Sequence, residues 1–218
     1  METAATIRLC AGGGTVFLLP LTEIPETELL ARAALAPDEA ERYAGFPSAA
    51  RQRRKEWLAA RVLAREELGG RIGYESSGRP VLRESPGTYI SISHTAGWAA
   101  LMVSREGRCG VDIEPADRRA EQAVRRVAVP EEIALACGLF PENPELAVWC
   151  AKEAAYKALG RTGIDFREEI RIDRIAAQTL QLTVKVDRMS LELFFWENLI
   201  GMCGSFKKNS NLASRTNL

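Results

Sequence analysis

The chain has 218 residues, 46% of them hydrophobic, and its 29 Lys and Arg balance 29 Asp and Glu to a formal net charge of zero. That length can bury a real core in one large domain or two small ones, and the zero balance excludes a general attraction to nucleic acid or to an anionic membrane, so any phosphate affinity must be local. Five scattered cysteines without CxxC spacing argue against a disulfide framework or a zinc site and point to a reducing, cytoplasmic compartment; the sequence offers neither a signal peptide nor an apolar run long enough to span a membrane.

In chain order, residues 15–21 predict a first strand ended by Pro20, then a short helix from Glu26 to Leu35 and a new helix starting at Ala36–Pro37–Asp38. Pro47 to Leu68 reads as a strong helix closed by Gly69–Gly70, and a stretch rich in Gly, Ser and Pro to Gly87 predicts loops and short strands. Tyr89 to Ile92 and Trp98 to Val103 predict paired strands with a turn around His94 to Gly97. A strand over 110–115, short helices over 118–127 and 130–137, and a helix around Lys152 follow. Strands are then predicted over 170–175, 179–186 and 191–195. Ser205 to Leu218 is polar and unpatterned, and residues 206–218 read as a frayed tail.

Two segments carry the chemistry. In Gly110–Val–Asp–Ile–Glu–Pro115 the period of a strand puts Asp112 and Glu114 on one face and Val111 and Ile113 on the other. In Trp149–Cys–Ala–Lys–Glu–Ala–Ala–Tyr–Lys157, helical spacing puts Trp149, Lys152, Glu153 and Lys157 along one side. Three carboxylates, Asp112, Glu114 and Glu153, suit a hard divalent cation such as Mg²⁺, which takes oxygen ligands and completes its shell with water and phosphate. His94 is the only histidine, which rules out multi-histidine zinc sites. With Ser93 and Thr95 it offers donors suited to a phosphate oxygen.

These residues resemble the 4′-phosphopantetheinyl transferase superfamily, in its larger, monomeric surfactin-synthetase-activating type. That family is marked by G-[IV]-D-[IL]-E, here Gly110 to Glu114, and W-x-x-K-E-A-x-x-K about forty residues on, here Trp149 to Lys157. A G-[KR]-P at Gly78–Arg79–Pro80 and an S-x-S-H at Ser91 to His94 precede them in the family's order, so the resemblance runs from about residue 50 to about residue 165. It implies an α/β (α+β) fold of two similar halves related by pseudo-twofold symmetry, residues 1–105 and 106–205, with the active-site cleft between them. It also implies transfer of the phosphopantetheine arm of coenzyme A to a serine of an acyl or peptidyl carrier protein, releasing adenosine 3′,5′-bisphosphate. Carried over by position, Asp112, Glu114 and Glu153 would hold Mg²⁺. Glu153, or a water held by the metal, would take the serine proton, and Lys157 and Lys152 would contact the pyrophosphate. Ser93 and His94 would meet a coenzyme A phosphate, Arg79 and Pro80 would flank the nucleotide, and Arg54 and Lys55 would meet the 3′-phosphate.

Each motif taken alone has a plainer reading. Alternating acids and aliphatics also mark an exposed edge strand, and Glu153 with Lys157 has the spacing of a surface salt bridge. Trp149 alone reads as a core anchor and His94 as a structural residue, and the basic run at 51–55 reads as the wet face of a helix. The ordered coincidence of four motifs favours the transferase over a non-catalytic coenzyme A or nucleotide-binding module, or a structural interaction protein. A carrier protein is generally acidic, and Arg118, Arg119, Arg125 and Arg126 near Val127, Val129, Leu135 and Phe140 form the candidate surface for it; the same segment also reads as a solvent-facing helix.

Overall fold

The computed structural model describes residues 5–176, 179–184 and 187–206. A hairpin of β1 (Ile7–Ala11) and β2 (Gly14–Pro20) leads into α1 (Glu26–Ala33), α2 (Pro37–Ala44) and α3 (Arg51–Leu68). A meander follows, β3 (Ile72–Tyr74), β4 (Pro80–Leu82), β5 (Tyr89–Thr95) and β6 (Trp98–Ser104), and β6 returns to pair with β2. From Cys109 the same plan runs again. The strand β7 (Cys109–Pro115) is followed by α4 (Glu121–Val127), α5 (Pro130–Ala136) and α6 (Pro144–Leu159). The meander β8 (Ile170–Ala176), β9 (Thr179–Val184), β10 (Asp187–Trp196) and β11 (Leu199–Ser205) then brings β11 back to β7. The sheet orders, β1-β2-β6-β5-β4-β3 and β7-β11-β10-β9-β8, are thus one topology used twice with β1 added at an edge. This is the α/β fold of two similar halves expected from the sequence.

Strand periodicity builds three cores from two sheets. Phe17, Leu19, Ala99 and Leu101 face α3 and α1, while Val16, Leu18, Ala100 and Met102 face the other way, onto Val111, Ile113, Leu199 and Cys203 of the second sheet. The opposite side of the second sheet is covered by α6, whose Leu146, Ala147, Cys150, Ala151, Ala154 and Ala158 are fully buried. Small residues let α6 lie close. A Cβ at Gly110 would stand 1.8 Å from the Ala154 carbonyl oxygen, so the glycine is required where helix and strand cross. That crossing brings the acidic face of β7 beside the Glu153–Lys157 face of the helix.

Several boundaries differ from those read in the sequence. The long helix starts at Arg51 rather than Pro47, and α4 starts at Glu121 rather than Arg118. His94 belongs to β5, not to the turn, because the hairpin closes with Thr95 opposite Trp98 and needs only Ala96 and Gly97, the latter at φ 79°. β1 and β11 were not among the expected strands. Leu199–Ser205 is buried on both faces and so lacks the alternation that marks a strand in the sequence. In the fold a Cβ at Gly201 would stand 2.0 Å from the Phe194 ring, so that glycine marks close packing and not a turn. Ser205 is therefore strand and not tail, and the tail expected beyond it lies, from residue 207, outside the described residues; so do residues 185–186 of the strand expected over 179–186.

Candidate functional site

The strand β7 is paired with β11 on one side only; its other side faces β5 without a backbone ladder. Serine hydroxyls of β5 replace that ladder. The Val111 N–H donates to Ser91 Oγ across 3.1 Å, and the Ile113 N–H donates to Ser93 Oγ across 3.3 Å. Ser93 Oγ in turn donates to Asp112 Oδ1 (3.0 Å), and two residues on Thr95 Oγ1 donates to Glu114 Oε2 (3.3 Å). The alternate positions Ser91, Ser93 and Thr95 thus fix both the edge of β7 and its two carboxylates. Ser93 also accepts from Lys157 Nζ (3.0 Å), which fills its capacity of one donor and two acceptors, so its hydroxyl holds the site together and is not free for a ligand.

Asp112 is buried, at 5% exposure, and its Oδ1 also accepts from Lys157 Nζ across 2.7 Å. Its Oδ2 is buried without a hydrogen-bond partner, and the buried Cys150 thiol lies beside the carboxylate, which helps push the thiol pKa up after burial. Glu153 is half-buried on α6, and its pKa lies above the usual carboxylate value, first through burial and then through the nearby Asp112; Lys157 and Arg118 pull it back. Glu114 forms an ion pair with Arg118, whose guanidinium stacks over the Trp149 ring at 5.3 Å. Asn143 caps α6 by accepting from the Leu146 N–H (3.2 Å) and donates to the Arg118 carbonyl (2.8 Å), so the loop carrying Arg118 is tied to the helix that carries Trp149 and Glu153.

A hard divalent cation fits these donors. They are carboxylate oxygens, one of them buried without a hydrogen-bond partner, and the charge of Asp112 adds to the cost of ionising Glu153. The fit rests on Asp112 and Glu153, with Glu114 drawn to Arg118. Among the described residues no set of three acidic, histidine or cysteine side chains is gathered as it stands into a metal cage. The three carboxylates expected from the motifs are thus not gathered into one set, although Mg²⁺ can be held by one or two carboxylates when water and phosphate supply the remainder.

Beside the acids opens a cleft of about 440 Å³ between the halves, lined from α3, the β3–β4 connection and β5 on one side and by the end of α6 on the other. Arg79, Pro80, His94 and Lys157 line it. Arg79 is held by Glu75 through Nη2–Oε1 (2.5 Å) and Nε–Oε2 (3.2 Å), and a Cβ at Gly160 would meet its Cδ at 2.5 Å, so the chain end of α6 and the first half touch here. Arg42, Arg53 and Arg61 also line the cleft and were not singled out from the sequence. Arg61 is 4% exposed, lies 3.5 Å over the Trp57 ring, and donates to the Trp57 carbonyl and to Tyr74 Oη. Its one acidic neighbour, Glu39, is 3.6 Å away, the facing Nε and Oε1 lack hydrogen-bond partners, and burial pushes the guanidinium pKa down. A buried cation so poorly paired favours an anionic ligand.

Besides Ser93, three residues expected to contact coenzyme A do not line the cleft. Arg54 pairs with Glu26 (2.7 Å) and Tyr43 Oη (2.8 Å), and Lys55 Nζ donates to the Leu21 carbonyl (2.5 Å). Lys152 is fully buried behind α6, where Nζ pairs with Glu132 (2.9 Å) and donates to the Phe166 (2.9 Å) and Ile170 (2.6 Å) carbonyls. Glu132 also accepts from the Val129 and Ile172 N–H groups, so the pair ties α5, α6 and β8 together. A one-residue difference in helix phase separates Arg53 from Arg54, and the density of basic residues hides that phase in the sequence. On the expected docking surface, Arg119, Arg125 and Arg126 are exposed; Phe140 is buried and packs edge-on against Phe195, which is 51% exposed. No helix among the described residues is long and apolar enough to cross a membrane, and all five cysteines are free thiols.

Residues 108–207 match the family model of the 4′-phosphopantetheinyl transferase superfamily. The chain is 32% identical over 119 residues to the 4′-phosphopantetheinyl transferase AcpT of Salmonella typhi, and equally to that of Salmonella typhimurium strain LT2. These alignments take in 50% of this chain and 60% of each relative's length.

Proposed function

Because residues 108–207 match the family model of the 4′-phosphopantetheinyl transferase superfamily, we propose that the chain transfers the 4′-phosphopantetheine arm of coenzyme A to a serine hydroxyl of an acyl or peptidyl carrier protein. The observation that carries this reading is the junction of two unlike surfaces at Lys157: an acidic group with a buried oxygen on Asp112 that lacks a hydrogen-bond partner, and a cleft lined by cations that suits a polyanion.

The serine Oγ attacks the phosphorus that bears pantetheine, and the bond from that phosphorus to the bridging oxygen of the pyrophosphate breaks. Adenosine 3′,5′-bisphosphate leaves with the bond's electrons. The serine proton passes to Glu153, whose burial and the neighbouring Asp112 charge raise its pKa and with it its basicity. Lys157, fixed on β7 by Asp112 Oδ1 and the Val111 carbonyl, stands where charge builds on the pyrophosphate oxygens and acts without reorganising. Arg42, Arg53 and Arg61 bind the 3′-phosphate end, while Arg79 and Pro80 flank the nucleotide and His94 meets a phosphate. Asp112 and Glu153, with Glu114 paired to Arg118, would hold Mg²⁺, and the metal would supply charge neutralisation to the pyrophosphate when bound. One chain supplies both sides of the cleft, which favours a monomer, and the free thiols favour the cytoplasm. The exposed Arg119, Arg125 and Arg126 present a cationic surface for an acidic carrier protein.

The test is the intact mass of apo carrier proteins after incubation with the chain, coenzyme A and Mg²⁺, with EDTA in a parallel sample. A gain of one phosphopantetheine that EDTA abolishes supports the reading. Coenzyme A binding without mass gain on any of several carriers overturns it in favour of a binding module.

A further inference from the structure

Among the described side chains lining the cleft, Arg42, Arg53, Arg61, Arg79, Lys157 and Arg161 are cationic and one is a carboxylate, Glu56. A carboxylate in a site built for a polyanion opposes its ligand, so its presence needs a reason. Glu56 lies on α3 and is 13% exposed, and both its oxygens are engaged by side chains. Oε1 accepts from Gln52 Nε2 across 2.8 Å, and Oε2 lies 3.2 Å from Nδ1 of His94. His94 itself is 53% exposed on β5, where an imidazole with no partner would rotate freely and present either nitrogen to the cleft.

We propose that Glu56 is a positioning residue for phosphate recognition: it holds the Nδ1–H of His94, so that Nε2 is the nitrogen presented to a coenzyme A phosphate. Which ring nitrogen of a histidine is available is set by the hydrogen bond that the other makes, and a carboxylate on Nδ1 is the usual device. When the ring carries both protons, Glu56 and the phosphate hold it from opposite edges, and the imidazolium is pre-oriented rather than ordered at the expense of binding. The spacing supports this role: Gln52 and Glu56 are one turn apart on α3, so Gln52 fixes the carboxylate that fixes the ring. The inference rests on the coenzyme A reading of the cleft.

His94 is the chain's only histidine, so ¹⁵N imidazole NMR of the full-length protein reports it without overlap. With the ring neutral, the native protein is expected to show the Nδ1–H form. Glu56→Ala shifts the ring toward Nε2–H, while Glu56→Gln, whose amide oxygen still accepts, keeps Nδ1–H. Addition of coenzyme A moves the Nε2 resonance of the native protein. In turnover, Glu56→Ala raises the KM for coenzyme A by about tenfold and changes kcat by less than about twofold, with Glu56→Gln between it and the native chain. An Nε2–H ring in the native protein, or a Glu56→Ala protein with unchanged tautomer and KM, overturns the proposal. If the tautomer responds as expected but coenzyme A moves no His94 resonance, the pairing of the two residues stands and phosphate recognition is overturned together with the coenzyme A reading of the cleft. Should Glu56→Ala fail to fold, Glu56→Gln and the native spectrum decide the matter on their own.

Discussion

Lys157 Nζ donates to Asp112 Oδ1 across 2.7 Å and to the Val111 carbonyl across 3.1 Å, so the last turn of α6 is fastened to β7 by the same ammonium that faces the cleft. A cation already held in place contributes most where charge develops, because no reorganisation is needed during the reaction. Lys157→Ala is expected to lower kcat by about a hundredfold while the coenzyme A Kd, measured calorimetrically, stays within about threefold. Equal losses in Kd and kcat/KM would show instead that Lys157 serves binding alone.

Arg53 and Arg54 are neighbours with opposite fates. Arg53 lines the cleft, whereas Arg54 turns away to Glu26 and Tyr43. Arg53→Ala is expected to raise the KM for coenzyme A by about tenfold and leave the melting temperature unchanged. Arg54→Ala is expected to do the reverse, lowering Tm by a few degrees through the half-buried ion pair, with KM unaltered. Steady-state kinetics and thermal melts on the two variants separate the roles.

What was legible in the sequence follows from period and spacing. Two-residue alternation put Asp112 and Glu114 opposite Val111 and Ile113, and the structure sends the second pair to the core between sheets and Asp112 to the site. Helical spacing put Glu153 and Lys157 together. The same spacing placed Lys152 with them, yet its side chain goes through the buried side of α6 to Glu132, a partner twenty residues upstream that nothing local announces. Arg61 was hidden likewise: it reads as one more base on a basic helix, and only the meeting of Trp57 and Tyr74 around it makes it a cleft residue. Long-range pairing, not local pattern, decides such positions.

Gly110 sets how closely α6 approaches β7. Any side chain there meets the Ala154 carbonyl, which is backbone and cannot swing aside. Gly110→Ala is expected to reduce unfolding free energy by roughly 3 kcal/mol in urea titration and to part Glu153 from Asp112, with activity falling further than stability. A variant as stable and active as the native chain would mean that α6 can shift without harm.

The buried Lys152–Glu132 pair is expected to be asymmetric to mutation. Lys152→Ala leaves Glu132 in a low-dielectric interior without its cation and should destabilise by about 3–5 kcal/mol. The double change Lys152→Met with Glu132→Gln removes both charges while the amide oxygen still accepts from one of the two backbone N–H groups, and should recover part of that loss. Chemical unfolding of both variants tests this; a double variant no better than the single one would show that the pair itself, and not its neutrality, holds α5 and β8 on α6.

Glu153 gives the metal-free protein a definite pH response. Its folded pKa is raised above the ordinary carboxylate value, so between that value and the raised one the folded chain binds more protons than the unfolded one. Stability then falls as pH rises through that window. Carboxylates held low by arginines, such as Glu75 and Glu84, act with the opposite sign, so the effect is read as the difference between the native chain and Glu153→Gln, in EDTA, by urea unfolding across mildly acidic to neutral pH. The difference should shrink as pH falls to the ordinary carboxylate value. Lys157→Gln removes a cation that holds the Glu153 pKa down and should carry the window to higher pH, while Asp112→Asn removes a charge that raises it and should carry the window lower. Mg²⁺ binding, which needs the ionised carboxylate, is expected to strengthen over the same window, so metal affinity and metal-free stability should move in opposite directions with pH. Parallel movement of the two would remove Glu153 from the metal site.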